Sequence, residues 1–318
     1  MKSTFIAAAL LGSSGLFAQD LTSKKGEPYL PEAKDWAISI DATPFLSFMG
    51  NMFTRDTSRN KPPMANWINS NTMMVTGKYF IDEKTAYRGS VRVGFYSTKT
   101  IGMIPDATQA GPITYPNLPL YKQDDKKRLG HFVGIGLGME KRRGKTRLQG
   151  YYGADAWLWT SGQSLKYDYG NALNSGGGGA INVSPSSGTT TNFGDDAILD
   201  IVTPYKGNLT GVTDNSGNAA RVVSVKMGQT FGIGLRGFIG VEYFIFPKMS
   251  LGFEYGYGFS FSTTGMSSYT VESVGGTPVT VGTQTKNVSR INTISLDNDI
   301  NGGGGGSGTG SIKFTLHF

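Results

Sequence analysis

The sequence contains no cysteine and only two histidines among its 318 residues. The lack of cysteine excludes disulfide bonds and thiolate metal ligands, and His131 and His317 are too few for a histidine-based metal site. No internal stretch approaches the roughly 18 consecutive apolar residues of a membrane-spanning helix, which excludes a helical membrane protein. We therefore predict no metal and no cofactor, while a membrane β-barrel remains open because each of its strands has only a weak hydropathy signal.

Positive charge is not concentrated in any one part of the chain. The formal net charge is +7, but the densest basic runs are Lys122–Arg128, which is mixed in sign, and Lys141–Lys145, which is typical of a tight turn. Because no basic stripe forms along the sequence, we expect no nucleic-acid partner. Glycine is abundant, with 46 residues and no collagen-like period.

The first residues have the pattern of a secretory signal. Lys2 provides a positive start, Phe5–Phe17 is a short apolar stretch, and Ala18 is a plausible cleavage point. We therefore predict a signal peptide over residues 1–18, a charged periplasmic tail over residues 19–35 and a single domain over residues 36–318.

One segment indicates which kind of sheet the domain forms. "VEYFIFPKMSLGFEYGYGFSFS", from Val241 to Ser262, alternates on both sides of a turn at Pro247 and Lys248. After the turn, one face carries only leucine and aromatic residues, and the other carries glycine, serine and glutamate. In a water-soluble sheet the apolar face is the core, whereas in a membrane barrel it faces lipid and the small polar face lines the lumen.

Segments with a period of two recur along the chain, and short connections alternate with long ones. This pattern predicts an all-β, antiparallel, up-and-down transmembrane β-barrel with short periplasmic turns and long extracellular loops. Eight strands are expected, and ten remain open if the longest loop contains another hairpin. The eight segments are Trp36–Thr43, Thr72–Ile81, Ala86–Tyr96, Leu129–Glu140, Thr146–Trp159, Lys226–Phe246, Met249–Ser262 and Gly310–Phe318.

The chain resembles the small outer-membrane β-barrel family that includes OmpA and OmpX. The features that carry the resemblance are the signal peptide, the alternating strands, "YFIFPKMSLGFEYGYG" (Tyr243–Gly258) and the terminal "IKFTLHF" (Ile312–Phe318). The "LFAQ" region and the Gly/Asn-rich loops are similar to members from Bacteroidota. The resemblance implies the outer membrane of a Gram-negative bacterium, with lipid and lipopolysaccharide as partners. It implies no catalytic residues, and a shared fold does not by itself define a function.

Charged residues occupy inward positions of the predicted strands, many of them close to a periplasmic turn. We interpret them as a lumen network of paired charges, because an isolated buried charge is costly and the interior of an eight-stranded barrel is just wide enough for its side chains. A gate for a narrow ion path is the alternative interpretation. The candidate residues are Asp41, Lys78, Arg88, Arg92, Glu140, Arg147, Asp155, Arg236, Glu242, Glu254 and Lys313.

Three further motifs resemble known sites or structures. Gly232–Gly237 matches G-x-G-x-x-G, but period-two alternation continues through it, so its glycines are expected to make room for bulky lumen residues. Asp297–Gly308 begins like a calcium loop but has glycine where the last carboxylate ligand belongs, so a solvated loop is favoured. Ser268–Thr283 alternates around a Gly-Gly pair and predicts an extracellular hairpin.

The sequence therefore favours a structural or surface-interaction protein with a packed or narrow lumen, whose long loops contact a protein or ligand partner. A small porin-like channel, or a barrel subunit of a larger export or uptake assembly, is the alternative. An enzyme is not expected, because His131 is the only histidine near the outer rim and has no recognisable catalytic partner.

Overall fold

The computed structural model describes residues 21–42, 75–109, 118–173, 212–275, 280–287, 290–298 and 310–318. The expected signal peptide and most of the calcium-like loop lie outside these residues. Within them the chain forms only strands, turns and irregular segments, so the described part has no helix of the length and apolarity needed to cross a membrane. The protein is all-β, as predicted.

In the part of the chain that the structure describes, thirteen strands form one antiparallel sheet. Their side chains alternate between the two faces because successive residues of an extended strand point to opposite sides. The strands are β1 (Trp36–Asp41), β2 (Val75–Asp82), β3 (Thr85–Pro105), β4 (Tyr121–Arg143), β5 (Leu148–Asp168), β6 (Val212–Thr213), β7 (Ala219–Lys226), β8 (Thr230–Phe246), β9 (Met249–Thr264), β10 (Ser268–Gly275), β11 (Thr280–Asn287), β12 (Ile291–Asn298) and β13 (Ser311–His317).

The sheet is partly ringed. Pairing runs from β1 through β2, β3, β4 and β5 to β8, β9 and β13, and β13 pairs with β1 again. The turns at 83–84, 144–147 and 247–248 lie at one end of this ring, which we call the hairpin end. The opposite end, the far end, carries β6, β7, β10 and β11, while β12 pairs with β9 beyond β13.

The expected count of eight strands is wrong, because the described residues already form thirteen and regions predicted as loops contain the additional strands. β3, β4 and β5 are 21 to 23 residues long and continue into the predicted loops at the far end. β6 and β7 lie in the longest predicted loop, and β10 to β12 lie in the last one. The expected hairpin at Ser268–Thr283 is confirmed as the antiparallel pair β10 and β11.

The two faces of the ring have opposite polarity. Large apolar side chains are exposed on the outer face, including Leu137 at 71% and Leu235 at 66%. Charged side chains are buried on the inner face, and Glu140 and Glu254 are both 0% exposed. This arrangement is the reverse of a water-soluble sheet protein, in which the apolar face is buried.

The far end has an apolar cluster of its own. β7 pairs with the upper part of β5 and with β10, so that their inner faces meet. The strands here are therefore held by packing as well as by backbone hydrogen bonds. The buried members of the cluster are Leu165, Tyr167, Ala220, Val222, Val225, Tyr269 and Val271.

Inward glycines make room for aromatic rings on the neighbouring strand. A Cβ atom on Gly136 would lie 2.6 Å from the ring of Trp157, and one on Gly232 would lie 2.1 Å from the ring of Trp159. The G-x-G-x-x-G match is therefore part of a strand whose glycines accommodate bulky neighbours, which confirms the prediction from period two.

We expect Gly232→Ala to lower the free energy of unfolding by about 1–3 kcal/mol, because the added methyl group overlaps the Trp159 ring. Gly94→Ala is the matched control, because a Cβ atom at Gly94 meets nothing within 4 Å. Urea titration of the refolded protein, followed by tryptophan fluorescence, measures both. Equal stability of the two variants would contradict the packing argument.

Candidate functional site: the buried charge network

Inward positions on the ring strands bring charged side chains together near the hairpin end. In the strand register Lys78 lies opposite Arg88, and Asp155 lies opposite Arg236. Gly138 separates Arg88 from Asp155, and a Cβ atom there would lie 2.0 Å from Asp155 Oδ1. A glycine at this position thus lets charges from different strands approach one another.

Glu254 on β9 is the most highly coordinated carboxylate of the group. Arg88 donates to both of its oxygens, through Nη1 at 3.0 Å and Nη2 at 3.3 Å. Arg236 Nη1 lies 2.9 Å and Lys313 Nζ 2.6 Å from Glu254 Oε1. Because Arg88 belongs to β3 and Lys313 to β13, this carboxylate connects strands that are distant in the sequence.

Glu140 on β4 has a second set of three cations. Lys78 Nζ lies 2.9 Å and Arg88 Nη1 3.5 Å from Glu140 Oε2, and Arg142 Nε lies 3.1 Å from Oε1. Asp155 lies between the two sets, 3.7 Å from Arg88 Nε and 3.5 Å from Arg236 Nη1. Arg88 therefore contacts three carboxylates and is the centre of the network.

Glu242 on β8 extends the network toward the hairpin end. Its carboxylate forms a close ion pair with Arg142 and accepts a hydrogen bond from the Ser250 hydroxyl. His317 Nε2 lies 3.4 Å from Glu242 Oε1 and 3.5 Å from Ser250 Oγ. The carboxylate and the hydroxyl thus face the same ring nitrogen, whereas a serine–histidine–acid relay places them on opposite nitrogens.

The network balances its own charge. Among the described residues its ion pairs join five cations, Lys78, Arg88, Arg142, Arg236 and Lys313, to four carboxylates, Glu140, Asp155, Glu242 and Glu254. Asp41 is 2% exposed and lies opposite Lys313 in the register of β1 and β13, which places a fifth carboxylate beside them. Mutual pairing offsets the large cost of removing these charges from water.

Eight of the eleven candidate residues have ion pairs in this network, and Asp41 adjoins it. Arg92 lies nearer the far end, where its guanidinium is 4.4 Å from the ring centre of Phe132. Phe132 packs against the buried rings of Trp157 and Trp159, so an aromatic layer lies above the charges. The interior of the described ring therefore has an ionic level and an aromatic level.

Arg147 was expected in the lumen, and the structure places it beside β5 rather than within it. β5 begins one residue later, at Leu148, so Arg147 belongs to the turn at the hairpin end. Its guanidinium lies 3.6 Å from the ring centre of Tyr29, in the segment that precedes β1. Because Arg147 lies outside the regular alternation of β5, its inward direction stays a prediction.

Arg142 belongs to the network but was not among the candidates. The sequence interpretation ended the strand at Glu140 and assigned residues 141–145 to a tight turn, whereas β4 continues to Arg143. Arg142 is 3% exposed and follows Glu140 by two residues, so both point inward. Continuing the alternation by one period would have identified it.

Comparison with protein-family models and with curated proteins finds no match for this chain. The resemblance to small outer-membrane barrels therefore stays a prediction. Within the described ranges, no three histidine, aspartate or glutamate side chains are grouped so that they could hold a metal ion. The physical arrangement of the network is thus the basis for its interpretation.

We expect Glu254→Gln to destabilise the protein by about 3–5 kcal/mol, because it leaves Arg88, Arg236 and Lys313 without their shared buried charge. Urea titration of the refolded protein measures the loss. The control is Glu83→Gln, in the exposed turn between β2 and β3, with an expected change of less than about 0.5 kcal/mol.

Removing a cation together with Glu254 should restore part of this stability. In Glu254→Gln/Lys313→Gln the number of uncompensated positive charges falls by one, so the double variant should be more stable than Glu254→Gln alone. A value for Glu254→Gln close to that of the wild type would show that the ion pairs do not stabilise the fold.

Proposed function

We propose that this protein is an integral outer-membrane β-barrel whose interior is closed by the charge network and whose far end acts at the cell surface. The eight ring strands cross the membrane, and the additional strands extend the wall outside it. In this proposal the protein has a structural or surface-interaction role and no catalytic activity. The observation that carries the proposal is the exposed apolar outer face around a buried ionic interior.

The outer face supports contact with lipid. Monomeric soluble proteins rarely expose apolar patches larger than a few hundred Å². Here exposed apolar residues recur on every ring strand, as in the outer-facing band of a membrane barrel. The aromatic side chains Trp36, Tyr87 and Tyr243 are exposed near the hairpin end, where an interfacial girdle belongs.

The unequal ends of the ring support the proposed orientation. Short turns join the strands at the hairpin end, and β3, β4 and β5 extend well beyond the 9–11 residues that a membrane strand requires. Outer-membrane barrels have short turns on the periplasmic side and long connections outside the cell. The far end therefore faces outward in this proposal.

The far end supports a surface role because it is an ordered sheet. At the turn between β6 and β7, Asp214 accepts hydrogen bonds from the Asn218 side chain at 2.9 Å and from the Ser273 hydroxyl at 2.8 Å. The pKa of Asp214 is lowered to about 2, chiefly by the hydrogen bond from the Asn218 side chain. The Ser273 hydroxyl and the backbone N–H groups of Asn218 and Ser216 lower this pKa further. The carboxylate stays charged and holds the turn at neutral pH.

The channel alternative requires a continuous path through the interior. Two successive levels of that path are occupied. The ion pairs of Glu254 and Glu140 fill one level, and the rings of Trp157 and Trp159 fill the other. Ions could pass only if several buried pairs separated together, at a cost of several kcal/mol for each charge. The closed interior is therefore the preferred proposal.

We expect Leu137→Arg to weaken folding into vesicles by about 2–4 kcal/mol, because Leu137 lies on the outer face in the middle of the proposed membrane band. Met103→Arg is the matched control, since Met103 is exposed near the far end of β3, beyond that band. Urea titration in vesicles, read by the mobility of unboiled samples, compares the two. Equal losses would contradict the proposed membrane position.

We expect the purified protein to show no single-channel current in planar bilayers, because paired charges and aromatic rings fill the interior. Insertion is checked in parallel by protease protection of the ring strands. Steady currents that change with Arg92→Ala or Glu254→Gln would support the channel alternative and contradict a closed interior.

A further inference from the structure

Side chains on the outer face of β3, β4 and β5 change in character row by row toward the far end. Each row contains residues that lie opposite one another in the strand register. Val91, Ile135 and Leu158 form an apolar row, and Phe95, His131 and Gly162 form a row two steps higher. The outer face thus passes from aliphatic to mixed character as it rises.

The row directly above contains Ser97, Leu129 and Ser164, and the row after it is basic. Lys99 lies opposite Lys127, and Lys127 lies opposite Lys166, so three lysines stand side by side on neighbouring strands. Lys226 on β7 lies opposite Ser164, one row lower, and is also exposed. These four residues, which we call the lysine row, are distant in the sequence, so the absence of a basic stripe along the chain did not reveal them.

The lysine row has more positive charge than its neighbours compensate. Asp125 Oδ2 lies 2.8 Å from Lys99 Nζ and neutralises that lysine. Among the described residues Lys127 and Lys166 form no ion pair. Like charges placed directly opposite on neighbouring strands destabilise a sheet, so an anion between these lysines would relieve the repulsion.

A groove lies directly below the lysine row. It has a volume of about 630 Å³ and is lined in part by Phe95, Leu129, Met227 and Lys226. Its wall combines these apolar side chains with the polar Ser97, Gln163 and Ser164, and Lys226 is the member of the lysine row that lines it. The Gln229 side chain crosses the base, 3.0 Å from His131 and 2.6 Å from the Thr160 hydroxyl.

We propose that the lysine row and this groove bind a phosphorylated, acylated lipid of the outer leaflet. Phosphate groups contact Lys127, Lys166 and Lys226, and an acyl chain lies against Phe95 and Leu129. This inference rests on the proposed membrane position, which places these rows where the hydrocarbon layer meets the headgroups. Each lysine near an anionic membrane surface contributes favourably to the attraction.

The neighbouring rows define where the phosphate lies. Above the lysine row, Asp125 lies opposite Asp168, so an anion there would be repelled. Toward the hairpin end, beyond the row of Phe95 and His131, the outer face is aliphatic and would not solvate a charge. A ligand with both a phosphate and a hydrocarbon chain fits this sequence of rows, whereas a nucleic acid or an acidic protein would leave the groove and the exposed apolar residues unused.

The test uses the full-length protein refolded into phosphatidylcholine vesicles that contain diphosphoryl lipid A or its dephosphorylated form. Retention of the lipid on the purified protein is quantified by native mass spectrometry after transfer to detergent. We expect the diphosphoryl form to bind, and Lys127→Gln/Lys166→Gln/Lys226→Gln to bind it about 10- to 100-fold more weakly. The dephosphorylated form should bind as weakly to the wild type as to this variant.

The control Lys84→Gln/Lys141→Gln/Lys145→Gln removes the same charge from exposed positions at the hairpin end and should bind like the wild type. Mobility of unboiled samples verifies that each protein has folded into the vesicles, so failed insertion contradicts the membrane proposal separately. Three results would overturn the lipid site. They are equal binding of the two lipid forms, an equal loss of lipid binding in both triple variants, and displacement of the lipid by inorganic phosphate alone.

Discussion

The pairing of charges inside a narrow ring of strands is the interaction on which the rest of this structure depends. Arg88 alone contacts Glu140, Asp155 and Glu254, and its bond to Glu254 joins residues 166 positions apart. An unpaired charge in such an interior costs several kcal/mol, so the cations of the network require carboxylates supplied by other strands. The network therefore links the ring across its interior, while the backbone hydrogen bonds link it along its edges.

Inward glycines provide the space that the charged and aromatic side chains of the interior occupy. Glycines occupy inward positions beside the largest neighbours, as Gly256 does beside Arg236 and Gly232 beside Trp159. Bulky or charged side chains can then reach the centre from one strand without a clash from the next. The apolar residues that a soluble protein would bury are left for the outer face, so the same alternation that fills the interior produces the lipid-facing surface of our proposal. Toward the far end, the lysine row lies across this outer face.

Local alternation was sufficient to predict the β-structure and the inward position of most charges, because the two faces of a strand follow directly from a period of two. It was insufficient where the decisive information is not local. β3 and β4 continue through charged segments that are typical of loops in sequence, because pairing with a neighbour stabilises them there. β4 continues through Arg142, which the sequence pattern assigned to a turn, and β5 begins only after Arg147. The lysine row depends on the register of strands that are far apart in the chain.

The most direct measurement on this protein is which face of β9 contacts lipid. Because the chain has no cysteine, single cysteines can be introduced one at a time from Ser250 to Phe261 and labelled with a fluorophore. In vesicles containing nitroxide lipids, we predict quenching at Leu251, Phe253 and every second residue after them, and none at the intervening positions. Quenching without a period of two, or odd-numbered positions that react fully with a water-soluble reagent, would contradict an ionic interior surrounded by a lipid-facing wall.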